Sequence, residues 1–254
     1  MKGLMGVAGA LAFVLIAGVP LAAQAQSDEG KAIGSADRGR VIFQNGKGDN
    51  VPACSSCHGV DGLGSDDMGT PRLAYQVDTY ILKQLEDFAH DRRTDNTMSA
   101  MNDIAKGLTA QDRKDMAAYV STLKTPFMGS DLDALRANDV KVGEPYKGEI
   151  IAHFGLPDHG VPACKSCHGY NGRSAGRLFP AIGGQRYVYL KHELEAWRKG
   201  ATGSRADAAR YNDYMGLMRG VASHLTDEDI DNVAAFLTSA KPVSPGNPRA
   251  PVRN

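Results

Sequence analysis

The sequence predicts an all-α protein built as two tandem copies of one helical unit. Three observations carry this reading. Nine residues, Val51-Pro52-Ala53-Cys54-Ser55-Ser56-Cys57-His58-Gly59, return as Val161-Pro162-Ala163-Cys164-Lys165-Ser166-Cys167-His168-Gly169. Downstream of each copy, apolar residues recur at i, i+4 and i+7, as Ile81, Leu85 and Phe88 and again as Leu190, Leu194 and Trp197. That spacing marks one face of a helix. Each half then ends on a capping-box pattern, Thr109 to Asp112 and Thr226 to Asp229, followed by another apolar run.

Taken in order, the first 25 of the 254 residues are set apart from the fold. Lys2 precedes an apolar stretch from Leu4 to Leu21, and Ala23-Gln24-Ala25 has the form of a cleavage site. This is the pattern of a secretory signal. The stretch is also near the length that spans a bilayer, so an uncleaved anchor is the alternative. Either way the folded part is expected in a periplasm-like space.

Residues 26–128 are expected to form the first domain and 129–241 the second. A short helix is expected from Asp37 to Phe43, with its counterpart from Lys147 to Phe154. A glycine-rich loop follows each repeated motif and closes at Pro71 or Pro180. From those prolines the halves align without a gap. Gln76, Tyr80, Ile81, Leu85 and Phe88 match Gln185, Tyr189, Leu190, Leu194 and Trp197. The last helices carry Met116, Tyr119, Val120 and Leu123, and Val233, Phe236 and Leu237. Thr125 to about Gly143 reads as a connector with Pro126, Gly129 and Gly143 as breakers. The tail, 242–254, is proline-rich and aperiodic, and is expected to be disordered.

The chemistry lies in the repeated motif. Each copy is Cys-x-x-Cys-His, the attachment signal for c-type haem. Two thiols reach the two vinyl groups of one porphyrin, and the next residue offers an imidazole to the iron. A lone Cys-x-x-Cys would equally fit a redox dithiol or half a zinc site. Here the His follows twice, and all four cysteines of the chain lie in the two motifs. Two covalently bound haem c groups are therefore expected, held by Cys54 and Cys57 and by Cys164 and Cys167, with His58 and His168 on the irons.

An iron held by one His has an open sixth position, and its occupant decides between electron transfer and ligand chemistry. With Leu108 set against Leu225, Met101 lies over Met218, seven residues before the leucine in each half. These two are the expected sixth ligands. Met98 and Met215, three residues earlier, also correspond and remain alternatives. His90, His153, His159, His192 and His224 have no partner histidine in the other half, which disfavours bis-His coordination.

Two such units in an exported chain resemble the dihaem class I cytochromes c of the cytochrome c4 group. The likeness spans about residues 37–240. It is carried most tellingly by Val161–Gly169, by Pro180 to Gln185, and by Met218-Arg219-Gly220-Val221-Ala222 with Leu225. The resemblance implies two domains related by a pseudo-twofold axis, with haem propionates facing each other across the interface. It implies His58 and Met101 on one iron, and His168 and Met218 on the other. It also implies a carbonyl near Pro71 and Pro180 that accepts the proximal His N–H. Ala74-Tyr75 departs from Gly183-Gly184, and the basic insertion Lys199–Arg210 has no counterpart in the first half.

The expected function is electron transport, without a substrate bond made or broken. The expected donor is a quinol–cytochrome c reductase or a dehydrogenase, and the expected acceptor a terminal oxidase of the haem-copper kind. Rival readings are a fixed subunit of a larger complex, or a dihaem enzyme acting on small sulfur compounds or peroxide. The halves differ in charge. Residues 26–135 hold 12 Lys and Arg against 17 Asp and Glu, whereas 136–254 hold 16 against 12. Such a dipole orients a carrier toward its partners. No helix carries a basic stripe, so a nucleic-acid partner is not expected. Association with a membrane, loose or through the anchor, stays open.

Overall fold

The structure is a computed structural model that describes residues 34–94, 97, 98, 100–125, 127–203 and 209–241. The expected signal segment, the expected tail 242–254 and Pro126 lie outside the described residues. Among those residues there are eleven α-helices and no strand, only isolated antiparallel bridges. None of these helices is long and apolar enough to cross a membrane.

The first repeat runs α1 (Ala36–Asn45), α2 (Ser55–His58), α3 (Asp78–Ala89), α4 (Met101–Gly107) and α5 (Ala110–Val120). The second runs α7 (Pro145–Phe154), α8 (Lys165–His168), α9 (Tyr187–Ala201), α10 (Leu217–Ala222) and α11 (Asp227–Ser239). Between them lies α6 (Leu132–Ala137), a helix inside the segment read from sequence as a plain connector. Asp131 caps α6 by accepting from the Asp133 and Ala134 amides, and Leu135 is buried.

In each repeat the first helix crosses the last, α1 on α5 and α7 on α11. A glycine makes the crossing close. A Cβ on Gly39 would stand 2.1 Å from the Asp115 carbonyl oxygen, and one on Gly148 would stand 1.9 Å from that of Asn232. Both capping boxes form with reciprocal bonds, Thr109 with Asp112 and Thr226 with Asp229. The first core gathers Phe43, Val51, Ile81, Met116 and Val120, and the second Ile151, Tyr187, Leu190, Val233 and Leu237.

Left-handed backbone marks the same places in both repeats. Gly46 (φ 75°) and Gly155 (φ 74°) turn the chain toward the motifs. A Cβ at either would meet the carbonyl oxygen of Val51 or Val161 at 2.2 or 2.3 Å. Where Gly184 has φ 70°, Tyr75 has φ 65°. So the sequence difference at this point leaves the turn intact, at a cost of about 1–2 kcal/mol for a non-glycine residue. The turn is pinned alike: Tyr75 N–H donates to the Leu123 carbonyl (3.0 Å) and Gly184 N–H to that of Leu237 (2.7 Å).

The repeats are joined by a reciprocal exchange. Gln185 accepts from the Arg72 amide (2.6 Å) and donates to the Arg72 carbonyl (2.9 Å). Gln76, its counterpart, accepts from the Ala181 amide (2.8 Å) and donates to the Ala181 carbonyl (3.0 Å). Residue i thus contacts j′ while j contacts i′, which is the signature of a twofold joint. A second layer repeats the symmetry. Arg93 stacks on Phe88 and reaches Tyr189 and Glu193, while Arg210 stacks on Trp197 and reaches Tyr80, Gln84 and Glu193. The insertion ending at Arg210 therefore delivers a spatial counterpart of Arg93 that the linear alignment does not show.

Candidate functional site

Each motif starts in a tight hairpin. Lys47 N–H donates to the Val51 carbonyl and Leu156 N–H to the Val161 carbonyl. The next residues form one helical turn, α2 or α8, which places both thiols and the imidazole on the same short piece of chain. Burial pushes the Cys54 thiol up to about 11, and the Cys164 thiol likewise to about 11. Among the described residues no group of three or more His, Cys, Asp and Glu could hold a metal ion.

The imidazoles are fixed from behind. His58 Nδ1 lies 3.1 Å from the Pro71 carbonyl oxygen and His168 Nδ1 2.9 Å from that of Pro180. A carbonyl only accepts, so each Nδ1 donates, which is the supporting bond expected of a His that ligates through Nε2. Burial holds the His168 pKa below its ordinary value, and the Pro180 contact opposes this only in part. The ring therefore stays neutral. The loops that present the two prolines match bond for bond. The Leu73 and Ala74 amides converge on the Gly62 carbonyl, and those of Ile182 and Gly183 on Gly172.

Both motifs open onto one continuous cavity of about 390 Å³. Its wall includes all four cysteines, His58, His168 and the apolar residues Ile81, Leu85, Phe88, Leu190, Leu194 and Trp197. The apolar helix faces read from sequence are thus the walls of the clefts as well as core. Two free thiols, an imidazole anchored through Nδ1 and an apolar wall fit haem at each motif.

The methionines are distributed unevenly. Met101 and Met218 both stand on the cavity wall, each in the first turn of a short helix, α4 or α10. Met98 also borders the cavity but is 47% exposed, whereas Met215 is 81% exposed and absent from its lining. Of the histidines with no counterpart histidine in the other repeat, His159 and His224 are exposed. His153 is buried among Phe154, Tyr170 and Phe236. His90 sits beside Glu86, and His192 is within 3.4 Å of Thr97. Sequence reasoning missed Arg72, Gln76 and Gln185 as residues of the joint, although the matching glutamines were visible in the repeat.

Two helical units of this order, each with a Cys-x-x-Cys-His turn and a carbonyl-anchored imidazole, define a dihaem class I cytochrome c. The comparisons agree. A cytochrome c family model matches residues 36–124 and 161–241. Cytochrome c4 of Thiocapsa roseopersicina is 38% identical over 187 residues, covering 72% of this chain and 85% of that one. The thiosulfate dehydrogenase electron acceptor of Thiomonas intermedia is 36% identical over 193 residues, covering 76% and 80%. Among solved structures, the thiosulfate dehydrogenase TsdBA from Marichromatium purpuratum superposes with a TM-score of 0.68 at 30% identity over 81% of this chain. This chain spans only 40% of that longer one. The chain belongs to the cytochrome c family, within its cytochrome c4 group, and carries two covalently bound haem c groups through Cys54/Cys57 and Cys164/Cys167.

Proposed function

We propose that this chain is an exported carrier that takes electrons from a sulfur-compound dehydrogenase of the thiosulfate-oxidising kind and passes them to a terminal acceptor such as a haem-copper oxidase. In this reading His58 and Met101 ligate one iron and His168 and Met218 the other, and the domains divide at residues 128 and 129. The bound haems supply one-electron chemistry. The protein's own residues hold the imidazoles at a fixed angle and line the clefts with apolar walls. The joint keeps the two clefts in one cavity.

The observation that carries the reading is that shared cavity, closed by reciprocal glutamine bonds, with a methionine of each repeat on its wall. A thioether in the sixth position raises the potential relative to a second imidazole and leaves no vacancy for substrate. The donor class is suggested by the thiosulfate dehydrogenase electron acceptor of Thiomonas intermedia, 80% of whose length is matched. Export is supported by the N-terminal residue pattern.

The test is stopped-flow mixing of the oxidised full chain with a thiosulfate dehydrogenase and thiosulfate. Both haems should reduce, more slowly as salt rises, because the charged halves steer the encounter. Carbon monoxide or cyanide should leave the spectrum of the isolated chain unchanged. Rapid binding of either, or thiosulfate oxidation by this chain alone, would overturn the carrier reading in favour of an enzyme. A second reading is favoured by the longer chain in which a similar segment makes up 40% of the whole, namely a subunit held permanently by its dehydrogenase. Co-purification at high salt separates the two.

A further inference from the structure

The segment that leads to Met218 is braced from the other repeat. The Asn212 side-chain amide donates to the Asp87 carboxylate at 2.7 Å and to the Gln84 side-chain oxygen at 3.2 Å, both on α3 of the first repeat. Lys83, on the same helix, donates to the Asn212 carbonyl at 2.6 Å. Asp87 is buried, and Lys83 and Arg92 pair with it. A bond to a fixed, ionised carboxylate is stronger than one between neutral groups. Arg210 steadies the amide from the other end, its Nε donating to Asn212 Oδ1 at 2.9 Å.

From Asn212 the brace reaches the ligand in two steps. The neighbouring Asp213 side chain, 3% exposed, accepts from the Arg219 backbone amide (3.0 Å) and from Arg219 Nε (2.8 Å). Arg219 follows Met218 directly. Between these anchors the chain passes through two consecutive left-handed residues, Met215 (φ 52°) and Gly216 (φ 74°). The first conformation is unfavourable for a methionine. Such a turn persists where the surrounding structure fixes it. The first repeat ties its own methionine differently. Asn102, which follows Met101, donates to the Phe88 carbonyl (3.0 Å), the Asp91 carboxylate (3.1 Å) and the Arg93 carbonyl (2.8 Å), all in its own repeat. The Thr97 hydroxyl of that loop stands 3.4 Å from His192 Nδ1 of the second repeat, a longer approach than the bonds of Asn212.

We propose that Asn212 is a positioning residue for Met218. It fastens the sixth-ligand loop of the second haem to α3 of the first repeat, so ligation of the second iron requires a closed joint. Met101, braced by Asn102 from within its own repeat, keeps its place when the joint loosens. The inference rests on the reading of Met101 and Met218 as sixth ligands and adds what holds the second of them. Met218→Ala tells the two apart. If it alters neither spectrum nor midpoint, both fall; if it alters them and the Asn212 variants do not, the positioning role alone falls.

The experiment compares Asn212→Ala with Asn102→Ala in the full holoprotein, by visible spectra, carbon monoxide addition and redox titration. Met218→Ala and Met101→Ala mark which signals belong to which iron. Asn212→Ala should let carbon monoxide bind the second iron and lower its reduced-to-oxidised ratio at fixed potential about tenfold, which is 59 mV for a one-electron couple. The signals of the Met101 iron should stay as in wild type. Asn102→Ala should show the reverse. Asn212→Asp sets a second carboxylate against Asp87 and should shift the second iron further. Adding Asp87→Asn exchanges donor and acceptor and should restore most of the loss, a reciprocity read at the iron that general destabilisation does not produce. Asn212→Ser carries the same readouts if the alanine variant does not fold. Gln76→Leu with Gln185→Leu, which weakens the joint elsewhere, should release Met218 before Met101 as urea is raised. A second iron unchanged in both Asn212→Ala and Asn212→Asp, or simultaneous release of both methionines in the double glutamine variant, would overturn the assignment.

Discussion

Replacing Gln185 by leucine removes one of the two clamps between the repeats while keeping side-chain bulk. The loss can be worked from the bonds. The side chain satisfies the buried Arg72 amide (2.6 Å) and carbonyl (2.9 Å), and its Oε1 also accepts from the Arg186 amide at 2.9 Å. Each buried backbone group left unpaired costs about 1–3 kcal/mol. Two such groups give about 2–6 kcal/mol for Gln185→Leu. Gln76→Leu exposes the same two kinds of group on Ala181, which is only half-buried, so its cost should fall at the lower end. The assay is urea unfolding of the holoprotein followed by far-ultraviolet circular dichroism and by the Soret band. The expected pattern is a lowered midpoint and, in the double variant, separate transitions for the two domains. A cost below about 1 kcal/mol for Gln185→Leu, or a double variant that still unfolds in one step, would refute the view that these glutamines fasten the domains.

Met218→Ala should let carbon monoxide bind the second haem, lower its midpoint and remove a weak absorption band near the red edge, whereas Met215→Ala should change none of these. Gly148→Ala should destabilise by about 1–3 kcal/mol or more through overpacking, because its Cβ would overlap the Asn232 carbonyl oxygen in the α7–α11 crossing; thermal unfolding reads this directly. Thr226→Ala should cost about 1 kcal/mol by unmaking the α11 capping box, measured the same way. Burial pushes the Asp87 carboxyl up, but bonds from Lys83, Arg92 and Asn212 outweigh it and hold the carboxyl below the usual carboxylate range. Its folded pKa thus lies under the unfolded value of about 3.9. The stabilisation is complete above that pH and fades as pH falls toward the folded pKa. Acid unfolding curves should show Asp87→Asn losing this part of the pH dependence, while the wild type keeps it.

The helices, the motifs and the capping boxes were legible because the chain states each of them twice. A pattern at helical spacing in one half could be checked against the other, and the boxes at Thr109 and Thr226 formed as read. The connector's own helix, Leu132–Ala137, was not legible because it is short and lies between glycines, with Asp131 as the main starting signal. Tyr75 was legible as a departure from Gly184, but its left-handed φ was not. The side-chain type argues against that conformation, and the bond to Leu123 imposes it. Arg210 stayed hidden as the counterpart of Arg93 because linear alignment cannot see that an insertion returns its last residue to the same place. Gln76 and Gln185 were visible as equivalents. That each serves the other repeat is a property of the joint, which no local pattern encodes.

A joint made of reciprocal bonds has a consequence for transport. Bonds exchanged symmetrically make two equivalent clefts, and equivalence alone gives an electron no preferred side. Direction must come from positions where the repeat is broken. Three such places lie at the joint: Arg72 against Ala181, Tyr75 against Gly184, and the Arg93 and Arg210 pair converging on a single Glu193. The symmetric bonds hold the two repeats together, and the broken positions set the charge around each cleft. Restoring the symmetry at one of them separates the two roles. Ala181→Leu adds bulk without charge, and Arg72→Leu removes charge while keeping apolar bulk. If the division holds, only the second should change the difference between the two midpoints, because the backbone bonds of Gln76 and Gln185 survive in both.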